Sequence, residues 1–229
     1  MVTDPIRLVY EAILNGDVDG AGKYALNAVE AGLDPLVVFE TGGADAIKAV
    51  GEQFANFEVF LPELMLAADA VKVVSSVLHP YIQARGASPK RKGRVLIGTV
   101  AGDIHDIGKN LVAALLAANG FEVVDIGVDV SSRKFLEAAE QSKPDILAIS
   151  ALLSTSSYYQ EEIIKYMSDA GCRDQYFVIV GGGPVTPEWA KSIGADGYGR
   201  TAAHAVTLCE QLMEIGKSHG RPAETMIVS

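Results

Sequence analysis

The chain has 229 residues, a formal net charge of −10, and 49% hydrophobic residues. An acidic protein lacks the concentrated positive surface that nonspecific nucleic-acid binding requires, so we expect no DNA or RNA partner. The N-terminus lacks the layout of a signal peptide, and no apolar run approaches the roughly 20 residues that span a bilayer. We therefore expect a cytoplasmic protein with no membrane partner. Its two cysteines, Cys172 and Cys209, are isolated, which argues against a disulfide framework and a structural zinc site.

Residues 1–87 are predicted to form a helical domain. Apolar residues recur there at helical spacing, and each helix opens with an aspartate cap or a proline in its first turn. Four helices with short connections are typical of an antiparallel bundle. The predicted helices cover about 5–15, 17–31, 35–56 and 62–85.

A linker is predicted between this domain and the rest of the chain. Residues 86–93 combine glycine, proline and charge without the periodicity of a helix or strand, and we place the linker at 88–93. We interpret its basic residues, 90–92, as a solvated hinge and not as a partner-binding patch.

Residues 94–219 alternate between strand and helix patterns. This alternation predicts an α/β domain with a parallel sheet covered on both faces, in the flavodoxin-like (Rossmann-like) order 2-1-3-4-5. Residues 220–229 are expected to be a tail. The five strands are predicted at 94–100, 121–127, 145–150, 176–181 and 195–198. The helices are predicted at 108–119, 131–142, 158–170, 187–193 and 201–217.

Polar residues and glycines follow the first, third and fourth strands, whose carboxyl ends share one edge of the sheet. Glycines allow a backbone to approach a large ligand closely, and hydroxyl groups satisfy the polar atoms of a buried one. The combination predicts a large cofactor with a nucleotide tail. These loop residues are Asp103, His105 and Gly108, then Ser150, Leu152, Ser154, Thr155 and Ser156, and finally Gly181, Gly182 and Gly183.

Asp103 and His105 are the pair with the clearest chemistry. Residues two apart in an extended segment point the same way, so the carboxylate and the imidazole can meet. A carboxylate fixes the tautomer of an imidazole and leaves the other ring nitrogen free as a base or a metal ligand. Taken alone, each loop also fits a structural role, as a helix cap or a tight turn.

The three loops together resemble those of cobalamin-binding corrinoid proteins of the methyltransferase type. The family motif Asp-x-His-x-x-Gly matches residues 103–108, Ser-x-Leu matches 150–152, and Gly-Gly matches 181–182. The helical residues 1–87 resemble the four-helix cap that precedes the cobalamin domain in that family. The resemblance therefore covers nearly the whole chain.

The resemblance implies that the chain binds cobalamin or a related corrinoid, base-off and His-on, with methylcobalamin as the loaded state. His105 is then the lower axial ligand of cobalt. Asp103 accepts a hydrogen bond from the other ring N–H of His105, and Ser156 extends this hydrogen-bond relay. Gly181 and Gly182 flank the buried tail. The full set of implied cofactor-binding residues is Gly102, Asp103, Ile104, His105, Asp106, Ile107, Gly108, Ser150, Leu152, Ser154, Thr155, Gly181, Gly182, Gly183, Tyr198 and Ala202.

The implied function is that of a methyl carrier. Its cobalt would accept a methyl group from a substrate-specific methyltransferase, and a second methyltransferase would pass it to tetrahydrofolate or a thiol. A reductive activating protein is a further implied partner. The chain would thus be a subunit and not an enzyme on its own. The helical cap would cover the reactive face and move aside at the linker. Methylamines, quaternary amines, methanol and aromatic methyl ethers all remain open as methyl donors.

Three alternative functions are weighed against this one. The cobalamin domain of a mutase shares the loops but needs a substrate barrel. A cobalamin-based sensor or regulator needs a DNA-binding module and a tryptophan in its helical bundle, whereas Trp189 lies in the second half. A hydrolase that used Asp103 and His105 would leave the serine and glycine loops unexplained.

Overall fold

The computed structural model describes residues 4–85, 91–216 and 221–229, which divide into two compact units. One unit lies within residues 1–91 and also takes in 117–120, and the other comprises 92–116 and 121–229. The division at Arg91 and Lys92 falls inside the segment predicted as a linker. Residues 88–90 of that segment lie outside the described residues.

The first unit is helical, as predicted. Asp4, Asp17 and Asp34 each cap a helix by accepting a hydrogen bond from a backbone N–H, so the helices begin where the sequence placed them. The helices are α1 (Pro5–Leu14), α2 (Val18–Glu30), α3 (Pro35–Val37), α4 (Asp45–Ala55) and α5 (Leu61–Ala84), with a π-helical segment, Val38–Ala44, between α3 and α4.

The π-helical segment interrupts what the sequence predicted as a single third helix. Gly42 lies there against α1, and a Cβ at this position would stand 3.2 Å from Val9 Cβ and 3.3 Å from the Ile6 carbonyl oxygen. Glycine thus permits the close approach of the two helices. Val9, Ile13 and Leu64 are fully buried in the core of this bundle.

The second unit is a parallel sheet with the order β2-β1-β3-β4-β5-β6. The predicted order of the first five strands is therefore confirmed, and the strand count is corrected to six. Met226–Val228 pairs with the fifth strand at the edge of the sheet, where the sequence predicted only a tail. The strands are β1 (Arg94–Thr99), β2 (Glu122–Asp125), β3 (Ile146–Ser150), β4 (Phe177–Gly181), β5 (Gly197–Gly199) and β6 (Met226–Val228).

Helices cover both faces of the sheet, and alternate strand residues divide between two apolar cores. Leu96, Leu147 and Val178 belong to the core that contains α7 and α8 residues, whereas Ile97 and Ile179 belong to the core with α6 and α10 residues. Within the described residues, none of the helices combines the length and the hydrophobicity of a membrane span. The helices of this unit are α6 (Ile107–Ala118), α7 (Ser132–Ser142), α8 (Tyr158–Asp169), α9 (Pro187–Ser192) and α10 (Ala202–Gly216).

The buried carboxylate of Asp196 attaches β6 to the sheet. Its Oδ2 accepts hydrogen bonds from Arg173 Nη2 at 2.9 Å and from the backbone N–H of Val178 at 2.7 Å. Its Oδ1 accepts from Nε of Arg221, just before β6, at 2.7 Å. The backbone carbonyl of Asp196 also accepts from Met226, the first residue of β6, at 2.9 Å. One residue thus links β4, β5 and β6.

We predict that Asp196→Ala lowers the free energy of unfolding by about 3 to 5 kcal/mol, because it leaves the buried guanidinium of Arg173 without its counterion. The control is Asp174→Ala, which removes a carboxylate that also pairs with Arg221 but is 87% exposed. It should cost less than about 1 kcal/mol. Urea denaturation of both variants measures the difference, and equal losses would contradict this account.

Candidate functional site

A cavity of about 990 Å³ opens at the carboxyl end of the sheet, on the face covered by α6 and α10. Its apolar lining includes Ile97, Ala148 and Ile179 from the strands, Val112 from α6 and Ala205 from α10. This volume lies at the upper end of the range for small-molecule and cofactor sites. The position is the crevice at which open α/β sheets bind their ligands.

His105 stands at the rim of this cavity, with its side chain 46% exposed, and it is oriented by Asp103. Asp103 Oδ1 lies 2.7 Å from His105 Nδ1 and 3.1 Å from the backbone nitrogen of His105. An ionised carboxylate only accepts hydrogen bonds, so Nδ1 carries a proton, and in the neutral imidazole the lone pair is on Nε2. The Thr99 hydroxyl also donates to the His105 carbonyl oxygen at 3.0 Å, which fixes the loop from β1.

Asp103 is fully buried behind His105 and is surrounded by hydrogen-bond donors. Its Oδ2 accepts from Ser156 Oγ and from the backbone N–H of Leu152, both at 2.7 Å. Burial alone raises the pKa of Asp103, but the hydrogen bonds from Ser156, Leu152 and His105 together outweigh it. They hold the pKa of this carboxyl well below its ordinary value, so Asp103 is ionised at neutral pH.

The glycines of the site act in two different ways. Gly182 has φ +126°, and a Cβ there would stand 1.7 Å from the Ala151 carbonyl oxygen, so only glycine fits. Gly181 and Gly108 line the cavity, and a Cβ on Gly181 would meet no protein atom closer than 3.9 Å, the Gly199 oxygen. A Cβ on Gly108 would meet none within 4 Å. These two glycines keep space open for a ligand.

The structure brings most of the predicted site residues to this cavity. Asp103 and Ser156 lie buried behind the rim, and Gly102 forms a turn with φ +72° before it. Ser154 and Thr155, predicted to contact the cofactor, are exposed and do not line the cavity. Those that do line it are Ile104, His105, Asp106, Ile107, Gly108, Ser150, Leu152, Gly181, Gly182, Gly183, Tyr198 and Ala202.

Several lining residues escaped the sequence analysis. Lys109 is buried next to the first motif, and its ammonium group contacts Asp125 and Asn110. Arg200 and Thr201 follow β5, and Glu188 lies in the first turn of α9. Arg200 and Thr201 could have been found by extending to the fifth strand the argument that was applied to the first, third and fourth.

Comparison with known proteins identifies the family. A model described as a B12 binding domain matches residues 93–207, and a second model of the same description matches residues 6–79. The chain is 40% identical over 214 residues to a corrinoid protein of Desulfitobacterium hafniense, which covers 93% of this chain and 99% of that protein. This chain belongs to the B12-binding corrinoid protein family.

Other similar corrinoid proteins support the same membership. Trimethylamine corrinoid protein 2 of Methanosarcina acetivorans is 44% identical over 196 residues, covering 86% of this chain and 90% of that protein. Among solved structures, the methanol:cobalamin methyltransferase complex of Methanosarcina barkeri contains a chain with a TM-score of 0.79 and 31% identity. The match covers 93% of the corrinoid protein described here and 81% of that chain. The resemblance and the fold class inferred from the sequence are thereby confirmed.

The depressed pKa of Asp103 predicts how the stability of this corrinoid protein depends on pH. A carboxyl whose pKa is lower in the folded state stabilises the fold above its unfolded value, about 3.9, and loses that contribution as pH falls towards the folded value. We expect Asp103→Asn to lower the free energy of unfolding by about 1 to 3 kcal/mol at pH 7. The deficit relative to wild type should shrink below about pH 4.

Urea unfolding at several pH values measures this dependence. Asp169→Asn changes an exposed carboxylate at the end of α8 and should cost less than about 0.5 kcal/mol throughout. A deficit for Asp103→Asn that stays constant down to the lowest pH at which the protein is folded would contradict the assigned role of the carboxylate.

Substitution by alanine should affect the free energy of unfolding very differently at the two neighbouring glycines. Gly182→Ala should lower the free energy of unfolding by at least about 2 kcal/mol, because the new Cβ collides with the Ala151 backbone at a positive φ. Gly181→Ala should change it by less than about 1 kcal/mol, since its Cβ meets only the cavity. Thermal or urea unfolding of the two variants distinguishes them, and similar losses would show that the loop adjusts.

Proposed function

We propose that the chain is a methyl-carrier protein that binds cobalamin or a related corrinoid and acts as a subunit of a methyltransferase system. The observation that carries the proposal is the arrangement of His105, Asp103 and Ser156 at the rim of a large cavity at the carboxyl edge of the sheet. Similarity over nearly the whole chain to corrinoid proteins named for trimethylamine favours this function over the mutase and sensor alternatives.

The residues present fit the nucleotide tail of a corrinoid. The depth of the cavity is apolar, which suits a flat aromatic base, and the bare surfaces of Gly108 and Gly181 leave room for it. Ser150 lines the same cavity and can satisfy a polar atom of the buried base.

The rim fits the corrin ring. Ile104 and Ile107 flank His105 and are 74% and 71% exposed, which is unusual for large apolar side chains. A broad, flat cofactor lying over His105 would cover both. The proposed state is base-off and His-on, with methylcobalamin as the loaded form. When bound, the cofactor supplies a cobalt centre that takes up and releases the methyl group.

The protein residues set the properties of the lower ligand. His105 would offer Nε2 to the cobalt, while its Nδ1–H donates a hydrogen bond to Asp103 Oδ1. The hydrogen bond to the carboxylate fixes the tautomer and the orientation of the imidazole, so Nε2 would be the atom that faces the metal. The Ser156 hydroxyl donates a hydrogen bond to Asp103 Oδ2, and this bond keeps the carboxylate in place.

The partners are proposed from the names of the related proteins. Relatives are named as trimethylamine and dimethylamine corrinoid proteins, and a structural neighbour is part of a methanol:cobalamin methyltransferase complex. By analogy, a substrate-specific methyltransferase would load this chain, and a second one would transfer the methyl group to tetrahydrofolate or a thiol. A reductive activating protein would complete the system.

The visible absorption spectrum of the protein reconstituted with hydroxocobalamin tests the proposal. We expect stoichiometric binding and a base-off, His-on spectrum in the wild type. His105→Ala should bind at least about 10-fold more weakly and show an altered spectrum, and added imidazole should restore it in part. His79→Ala, which changes an exposed histidine of the helical unit, is the control and should match the wild type. An unchanged spectrum in His105→Ala would overturn the role of His105, and absence of binding to the wild type would overturn the cofactor.

A further inference from the structure

The cavity carries charged residues that the three sequence motifs do not explain. Besides His105, its lining includes Asp106, Lys109, Glu188 and Arg200. Any ligand that fills the cavity meets these charges. Whether each already has a protein partner decides which of them is available to a ligand.

Three of these charges already have protein partners. The Lys109 ammonium is paired with Asp125 and hydrogen-bonded to Asn110. Asp106 Oδ2 accepts a hydrogen bond from Asn110 Nδ2 at 3.2 Å. The Glu188 carboxylate interacts with Thr186 and with its own backbone N–H at the start of α9, and these hydrogen bonds lower the pKa of Glu188.

Arg200 differs from them. It is exposed, and no side-chain hydrogen bond or ion pair joins it to another residue in the described part of the chain. Among the lysine and arginine residues of the lining, it is therefore the cation that a ligand can use without breaking an existing pair.

The backbone of Arg200 is nevertheless well anchored. Its N–H donates to the carbonyl oxygen of Val228 in β6 at 3.0 Å. The next residue, Thr201, accepts at Oγ1 a hydrogen bond from the backbone N–H of His204 at 3.2 Å in the first turn of α10. The strand that was not foreseen thus holds the loop after β5 against the cavity, and Ser229, which follows β6, also lines it.

We propose that Arg200 binds the phosphodiester of the corrinoid nucleotide tail and that β6 positions it for this contact. The inference rests on the proposed function. A corrinoid with a complete tail carries one phosphodiester, which is a negative charge between the ring and the base. A guanidinium presents parallel N–H donors that match two phosphate oxygens, so it combines charge with orientation. Arg200 is thereby a residue that distinguishes complete corrinoids from those without a tail.

The test compares cobalamin with cobinamide, which has the corrin ring but neither the phosphodiester nor the base. We expect Arg200→Gln to weaken binding of hydroxocobalamin about 5- to 20-fold and to leave cobinamide binding within about twofold. Arg200→Lys should retain part of the cobalamin affinity, because it keeps the charge but loses the planar fork. Salt should weaken cobalamin binding less in Arg200→Gln than in the wild type. Arg133→Gln, an exposed arginine of α7, is the matched control and should alter neither affinity.

A double-mutant cycle tests the part played by β6. Arg221 connects β6 to Asp196, so Arg221→Gln should also weaken cobalamin binding, and this effect should largely vanish when Arg200 is already glutamine. An equal effect of Arg221→Gln in both backgrounds would overturn the positioning role.

The remaining outcomes separate this inference from the proposed function. If Arg200→Gln changes the affinities for both corrinoids equally, or changes neither, then Arg200 does not bind the phosphodiester. If the wild type binds cobinamide as tightly as cobalamin, the tail is not recognised, and the inference fails while corrinoid binding stands. If the wild type binds neither corrinoid, the proposed function itself fails.

Discussion

The site depends on one buried carboxylate. Asp103 joins the loop after β1 to the loop after β3, because Oδ1 holds the His105 imidazole while Oδ2 accepts from Leu152 and Ser156. A buried ionised carboxylate is costly unless its lone pairs are satisfied, and here each oxygen has more than one donor. The direction of Nε2 is consequently fixed before any ligand arrives. Such preorganisation is what a lower ligand to a metal requires, since a mobile imidazole would lose entropy on binding.

The two faces of the sheet serve different purposes. On one face, Leu147 and Phe135 pack in a continuous apolar core. On the other, small residues at the carboxyl end, among them Ala148, Gly181 and Ala205, leave the cavity between the sheet and helices α6 and α10. Further from the carboxyl end of the strands, larger apolar side chains on the same face fill the core. The fold therefore provides a binding cavity by reducing side-chain volume locally, without weakening the core that holds the strands together.

Much of this arrangement could be predicted from the sequence, because helix caps and the strand–helix alternation are local signals. The motif loops could also be predicted, since parallel strands end at one edge. The sixth strand could not, because Met226–Val228 is too short to show a pattern and is held by the distant Asp196. Ser154 and Thr155 were expected at the cofactor, yet the chain turns between residues 153 and 157. That turn directs Ser156 inward to Asp103 and leaves its two predecessors exposed.

A carrier must retain its cofactor while the metal changes its ligands. Under the proposed function, the cavity and the rim would divide these tasks. The tail would be held by the apolar depth of the cavity, whereas His105 is about half exposed on a loop between exposed Ile104 and Ile107. Anchoring by the tail would not depend on a bond between His105 and the metal. If His105 is the lower ligand, its position would be kept when its bond to the cofactor changes, because Asp103 and not the metal sets that position.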